Sequence, residues 1–108
     1  MPTQAYAVEQ PLRSDIDALS GAAVLDFGTN WCGYCRAAQP LVDAAFNAHP
    51  EVRHLKAEDG PGRALGRSVG VKLWPTLVFL RDGREVARLV RPDGKAAIVD
   101  ALAAIDRA

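Results

Sequence analysis

The segment AAVLDF, residues 22–27, constrains the fold of this chain more than any other stretch. It is short, apolar and bounded by Gly21 and Gly28. A run of this kind between glycines is typical of a β-strand that is buried on both faces. A strand of that type needs covering elements on each side of its sheet.

The rest of the chain alternates between strand-like and helix-like patterns. Further strands are predicted at 6–8, 52–57, 76–80 and 85–90, and helices at 13–21, 32–47, 63–70 and 93–107. An Asp-Gly turn signal in RDGR, residues 81–84, predicts a hairpin between the last two strands. The order β-α-β-α-β-α-β-β-α predicts an α/β fold with a central mixed sheet and helices on both faces.

Two helices carry local signals that predict their ends and shape. Ser14 is expected to cap the first helix, with Asp17 completing a capping box and Gly21 ending the helix. Pro40 lies inside the second helix and is expected to kink it without ending it, because the apolar spacing continues beyond it.

Composition limits the classes of function. The chain has 108 residues, of which 49% are apolar, so one domain spanning residues 1–108 is expected. Thirteen basic and thirteen acidic residues cancel without forming a basic patch, so no nucleic-acid or membrane partner is predicted. The first 20 residues lack a basic start followed by an apolar block, so no signal peptide is expected. An exported form whose leader had been removed would look the same.

Cys32 and Cys35, the two cysteines of the chain, admit three interpretations. Two buried core thiols are the simplest, since free cysteine is often buried. A zinc site is the second, because His49 and His54 follow at a spacing that two-cysteine, two-histidine sites allow. A zinc finger carries both histidines on one helix, whereas Pro50 directly follows His49 and His54 lies in a strand-like run. No metal site is therefore predicted.

The third interpretation is a redox-active dithiol. Cys32 falls where a strand passes into a helix, beside unpaired backbone N–H groups and the positive end of the helix dipole. A thiol at such a position tends to react as thiolate. Cys35 lies one turn further, so Cys32 would attack a substrate disulfide and Cys35 would resolve the mixed disulfide. Gly33 would let another chain approach closely.

The segment VLDFGTNWCGYCRAAQP, residues 24–40, resembles the active-site segment of thioredoxins. Both have a strand with an aspartate, then Trp-Cys-Gly-x-Cys, a basic residue and a helix proline. The segment WPTLVFLRDGREV, residues 74–86, is similar to the thioredoxin segment in which a cis-proline precedes a threonine and a hairpin. The resemblance covers roughly residues 20–106. It implies a thioredoxin fold and thiol-disulfide exchange.

By this resemblance Cys32 is the nucleophile, Cys35 the resolving thiol and Asp26 the buried acid. Burial disfavours the charged form of a carboxyl group, so Asp26 would accept the proton of Cys35 through a water. An aspartate paired with a nearby lysine for stability alone is the alternative. The lysine neighbour of the family is matched by Lys56, or by His54 in a gapped alignment, and the sequence does not decide between them.

The resemblance also implies a substrate groove. Pro75 matches the cis-proline beside the cysteine pair, and cis peptide bonds are nearly confined to X-Pro. Trp74 would pair its backbone with an extended substrate, as in strand addition. Trp31 would pack at the rim. Simple core packing is the alternative for each tryptophan.

Three positions depart from the family pattern. Tyr34 stands where ordinary thioredoxins have proline, which makes the motif similar to that of some periplasmic isomerases and some glutaredoxins. The Tyr34 N–H, which proline would lack, is expected close to the Cys32 sulfur and predicts a hydrogen bond to it. Gly28 replaces a tryptophan that is common in thioredoxins. Arg91 replaces a small glycine and, with the bulky Trp74, predicts a narrow, selective groove.

The leading prediction is a cytoplasmic, monomeric thioredoxin-like reductase of protein disulfides. The Cys32–Cys35 disulfide would be its redox centre, with no other cofactor, and its electron donor would be a thioredoxin-reductase-like protein or glutathione. The alternatives are an exported oxidant or isomerase, a glutaredoxin-like glutathione-linked or iron–sulfur-binding protein, and a redox-inactive binding module. RPDGK, residues 91–95, stands where glutaredoxins carry Gly-Gly, and the intact Asp26, Cys32, Cys35 and Pro75 set argues against an inactive module.

Overall fold

The computed structural model describes residues 5–106 as helices and strands built around one sheet. In chain order the elements are α1 (Arg13–Asp17), β1 (Ala22–Gly28), α2 (Gly33–Phe46), β2 (Arg53–Glu58), α3 (Ala64–Ser68), β3 (Thr76–Arg81), β4 (Arg84–Val90) and α4 (Lys95–Ile105). The strand order is β2-β1-β3-β4, with β1 parallel to β2, and the pairs β1–β3 and β3–β4 antiparallel. The predicted α/β fold with a mixed sheet is confirmed.

Strand β1 is buried because its side chains enter two separate cores, one on each face of the sheet. Val24 packs with residues of β3, α2 and α4, including Phe79, Val42 and Ile98. Leu25 and Phe27, on the opposite face, pack with residues of α1, α3 and β3, including Ile16, Leu65 and Val78. The helices therefore cover both faces, and Asp26 shares the face of Val24, towards α2.

The predicted strand at residues 6–8 is wrong, because this segment forms only an isolated parallel bridge between Ala7 and Ala57. Two hydrogen bonds make the bridge, from Ala7 N–H to the Lys56 carbonyl and from Glu58 N–H to the Ala7 carbonyl, each 2.9 Å. Ala7 and Val8 are exposed, so Tyr6 is the one side chain of the segment that enters the core, and the pairing does not extend into a strand.

The predicted capping of the first helix is also wrong. Helix α1 begins at Arg13 with Leu12 at the N-cap, and the carboxylate of Asp15 accepts the Leu12 N–H at 3.2 Å. Ser14 lies inside the first turn, and Asp17 pairs with Arg13 at 3.0 Å. Any acceptor near the helix start can satisfy that N–H, and here the carboxylate of Asp15 does so.

The hairpin and the second helix agree with the prediction. Asp82 and Gly83 have φ values of 53° and 78°, which suit the tight turn that joins two twisted antiparallel strands. Helix α2 continues through Pro40 and ends within one residue of each predicted boundary. No helix within residues 5–106 is long and apolar enough to cross a membrane.

Gly83 and Gly21 provide a matched test of how the hairpin turn packs on α1. Both have positive φ, but a Cβ on Gly83 would lie 2.1 Å from the Asp17 carbonyl oxygen, whereas one on Gly21 would meet nothing within 4 Å. We expect Gly21→Ala to lower the free energy of unfolding by about 1–2 kcal/mol, from backbone strain alone.

Gly83→Ala should cost more than about 3 kcal/mol, because the backbone of α1 must also move. Urea denaturation of the two variants measures the difference. Equal losses would show that the contact between the turn and Asp17 does not constrain the fold.

Candidate active site

The cysteine pair lies where the chain leaves β1 and enters α2. Cys32 is the N-cap residue of α2, with extended backbone (φ −76°, ψ 121°), and its Sγ accepts the Cys35 N–H at 3.2 Å. Both cysteines are free thiols, and Cys32 is 7% exposed against 3% for Cys35. The partial positive charge of a 14-residue helix therefore lies at the Cys32 sulfur, and no acidic residue in the first turn opposes it.

The expected hydrogen bond from Tyr34 N–H to the Cys32 sulfur is wrong, because Cys35 N–H is the donor. The N-cap side chain reaches the N–H three residues ahead, as N-cap residues usually do. A proline at position 34 would leave this bond in place, so the exchange of proline for Tyr34 does not add a donor to Cys32.

Cys35 has a less favourable environment for a thiolate. Burial, followed by the hydrogen bond with Cys32, raises the pKa of Cys35 to about 12. Hydrogen bonds with the Thr29 backbone and with the Tyr6 side chain act in the opposite direction. Cys35 therefore stays a thiol near neutral pH until a base takes its proton.

Asp26 is 4% exposed and fully engaged by side chains. Its Oδ1 accepts the Tyr6 hydroxyl at 2.9 Å, and its Oδ2 lies 2.8 Å from His54 Nε2. Lys56 pairs with Asp26 in the register of β1 and β2, but its Nζ lies over the Tyr6 ring, 4.3 Å from the centroid. Burial lowers the pKa of Lys56. The sequence leaves open whether Lys56 or His54 is the basic neighbour of Asp26. In the structure both are neighbours: His54 contacts the carboxylate and Lys56 lies beside it.

Tyr6 is a site residue that sequence reasoning missed. Its ring packs with Cys32 and Cys35, and Trp74 packs against the same cluster. A Cβ on Gly28 would lie 2.5 Å from the Cys35 Sγ and 2.8 Å from the Tyr6 hydroxyl. The phenol therefore covers the backbone of Gly28, where a side chain would clash. Gly28, in place of the tryptophan common in the family, was the signal that another segment supplies the missing ring.

Most of the remaining predicted residues contact one another around Trp74, which packs against the cluster of the two cysteines. The Trp74–Pro75 peptide bond is cis. Trp74 donates its indole N–H to Asp59 at 2.8 Å, and Trp31 stands edge-on to it with ring centroids 5.7 Å apart. Trp31 is 72% exposed, so simple core packing does not account for it.

Arg91 and Tyr34 contact each other beside the backbone of Trp74. The Arg91 Nε donates to the Trp74 carbonyl at 2.8 Å, and its guanidinium lies over the Tyr34 ring, 3.9 Å from the centroid. Tyr34 is 60% exposed. A Cβ on Gly33 would meet nothing within 4 Å, so the approach to Cys32 is open on that side.

The two histidines of the considered zinc site lie apart. His49 is 2.5 Å from Asp106, beyond the end of α2, whereas His54 is bonded to Asp26. Across residues 5–106 no group of three His, Cys, Asp or Glu side chains is arranged to hold a metal ion.

Known proteins match both the sequence and this geometry. The family model described as thioredoxin matches residues 4–104. The solved structure of reduced thioredoxin 2 from Pseudomonas aeruginosa PAO1 is 56% identical, with a TM-score of 0.86 and 94% of each chain covered. Thioredoxin from Chlamydia muridarum is 34% identical over 80 residues, which are 74% of this chain and 78% of that protein.

Thioredoxin Asp f 28 from Aspergillus fumigatus is 30% identical over 84 residues, 78% of each protein. These matches extend over most of both chains, and the residues that the family model matches include Cys32 and Cys35. The chain therefore belongs to the thioredoxin family, and its Cys32–Cys35 pair makes it a thiol-disulfide oxidoreductase.

Proposed function

We propose that this protein reduces disulfide bonds of other proteins, with Cys32 as the attacking thiol and Cys35 as the resolving thiol. The unequal environment of the two sulfurs carries the proposal. Cys32 Sγ lies at the positive end of α2 and accepts an N–H, whereas burial holds the pKa of Cys35 at about 12. The thiol that is ready to attack is therefore Cys32, and Cys35 becomes a nucleophile only after losing its proton.

The exchange then takes two steps. The Cys32 thiolate attacks one sulfur of the substrate disulfide, and the other substrate sulfur leaves with the bonding electron pair. Cys35 gives its proton to Asp26, and its thiolate attacks Cys32 Sγ. A Cys32–Cys35 disulfide forms and the second substrate sulfur leaves. Two electrons have passed from the dithiol to the substrate.

A thioredoxin-reductase-like protein or glutathione would return the two electrons. Because one chain holds both thiols of the exchange, we propose a monomer, acting in the cytoplasm, where disulfides are kept reduced. The relatives named thioredoxin support this assignment over the exported and glutaredoxin-like alternatives. Oxidised protein mixed with NADPH and thioredoxin reductase, or with glutathione alone, distinguishes the two donors by the rate of dithiol recovery.

Arg91 is proposed to control access to the groove. An extended substrate that pairs with the Trp74 backbone needs the Trp74 carbonyl, which the Arg91 side chain now occupies. Substrate must displace that hydrogen bond and the stacking on Tyr34. Substrates able to offer the guanidinium a new partner, such as a carboxylate beside the disulfide, would therefore be favoured.

The order of attack is tested by two serine variants. Cys35→Ser should accumulate a mixed disulfide with a disulfide-containing protein such as insulin, because attack proceeds and resolution cannot. Cys32→Ser should form none. Non-reducing electrophoresis and mass spectrometry detect the adduct. Trapping by Cys32→Ser alone would reverse the assigned roles.

Access to the groove is tested by Arg91→Gly. One exposed hydrogen bond contributes roughly 0.5–1.5 kcal/mol, so we expect kcat/KM for insulin reduction to rise about twofold to tenfold. Glycine also suits the positive φ of 49° at this position. Arg84→Ala, at the opposite end of β4, is the matched control and should leave kcat/KM unchanged. A fall in kcat/KM for Arg91→Gly would show that Arg91 binds substrate instead of blocking its site.

A further inference from the structure

Tyr6 is held against the active site by the backbone of its own segment. Its N–H donates to Asn30 Oδ1 at 3.0 Å, in the loop between β1 and α2. The next residue, Ala7, forms the bridge to Ala57 on β2. These contacts fix the segment at both sides of the ring, so the Tyr6 hydroxyl has a defined position between β1 and α2.

The hydroxyl of Tyr6 is in contact with the two groups between which a proton must pass. It donates to Asp26 Oδ1 at 2.9 Å. It also lies beside the Cys35 Sγ, since a Cβ on Gly28 would be 2.8 Å from the hydroxyl and 2.5 Å from that sulfur. A single oxygen thus joins the acid to the resolving thiol. The absence of a side chain at Gly28 makes this possible, because any side chain there would occupy the space of the Cys35 Sγ and the Tyr6 hydroxyl.

Little room remains for a water in this position. The cavity between β1 and α2 is lined by Tyr6, Asp26, Cys35 and seven other residues, and its volume is about 10 Å³. One ordered water needs roughly 10–15 Å³. A water between Asp26 and Cys35 is expected from the sequence, but the cavity is only as large as the smallest space that holds one water. The Tyr6 hydroxyl already lies next to both groups.

We propose that the Tyr6 hydroxyl relays the proton from Cys35 to Asp26 when the mixed disulfide is resolved. The proposal rests on the proposed function, in which Cys35 is the resolving thiol. The Tyr6 O–H proton passes to Asp26 Oδ1 while the Cys35 S–H proton passes to the Tyr6 oxygen. Tyr6 stays neutral and now donates to the thiolate, which attacks Cys32 Sγ and releases the substrate sulfur with its electron pair.

The charges around the ring agree with a neutral phenol. Asp26 and Cys35 face the hydroxyl from β1 and α2, and Lys56 of β2 lies over the ring. Burial and the charge of Asp26 raise the pKa of Tyr6 far above its ordinary value, so the phenol does not store the negative charge. His54 holds the other carboxylate oxygen, Asp43 lines the same cavity, and Cys32 lies beside Cys35.

Tyr6→Phe is the direct test, because it keeps the ring over Gly28 and removes only the hydroxyl. In single-turnover stopped-flow assays with a mixed-disulfide substrate, we expect the resolution step to slow roughly 10- to 100-fold. In the Cys35→Ser background the same change should not alter the rate of Cys32 attack. Ser68→Ala removes a hydroxyl on α3, which donates to the Leu65 carbonyl and contacts none of the residues of the site. This matched control should resolve at the wild-type rate.

A double-mutant cycle with Asp26→Asn separates a relay from a structural role. If Tyr6 and Asp26 act in one relay, the losses in resolution rate from their two substitutions should not add. Tyr6→Phe should therefore change the resolution rate of the Asp26→Asn variant by less than about twofold. Additive losses would overturn the relay, and so would a Tyr6→Phe resolution rate equal to that of wild type.

The wild-type protein offers a measurement that does not depend on the folding of any variant. A two-proton relay predicts a curved dependence of the resolution rate on deuterium fraction, and a linear dependence overturns it. If wild type itself reduces no disulfide, the proposed function fails and not the relay alone.

Discussion

The buried carboxyl group of Asp26 is the constraint on which the site depends. A carboxyl in the middle of a covered sheet loses its water, and the loss has to be offset by hydrogen bonds. Tyr6 and His54 supply them, and Lys56 adds a nearby positive charge. These partners come from the N-terminal segment and from β2, so satisfying Asp26 also anchors both elements to β1 behind the cysteines.

Elements with signals close together in the sequence could be predicted. The glycines around β1, the helical spacing of α2 and the Asp-Gly turn each act over a few residues, and the structure has all three. The structure of residues 6–8 could not be predicted in this way, because pairing at the edge of a sheet depends on which backbone groups of the partner strand are unpaired. The capping of α1 failed for a related reason: the helix begins at Arg13, earlier than a Ser14 cap requires, so Ser14 lies inside the first turn and Asp15 accepts the Leu12 N–H.

The chemistry of the site was predictable in its centre and not at its edges. Cys32 and Cys35 follow from spacing at a helix start, which is local. The contact of His54 with Asp26 is diagonal across two parallel strands, because the register places Lys56 directly opposite. The sequence supports either neighbour, and only the direction of the side chains selects one. Arg91 was expected to narrow the groove by its size, but its hydrogen bond to a backbone carbonyl depends on a positive φ that no local signal announces.

Gly28 and Tyr6 show that the effect of a substitution at one position depends on the residue that packs against it. Removing the family's common tryptophan at position 28 would by itself leave a gap beside Cys35, and gaps in a core are destabilising. Here a phenol from the N-terminal segment fills the space above the bare backbone of Gly28. An indole at position 28 would clash with Tyr6, so this packing cannot hold a tryptophan at position 28 and the Tyr6 ring at the same time. The replacement is not equivalent in chemistry, because the phenol brings a hydroxyl that joins the buried acid to the resolving thiol. The ring that fills the space beside Gly28 thereby places a proton-carrying hydroxyl next to the thiol that must ionise.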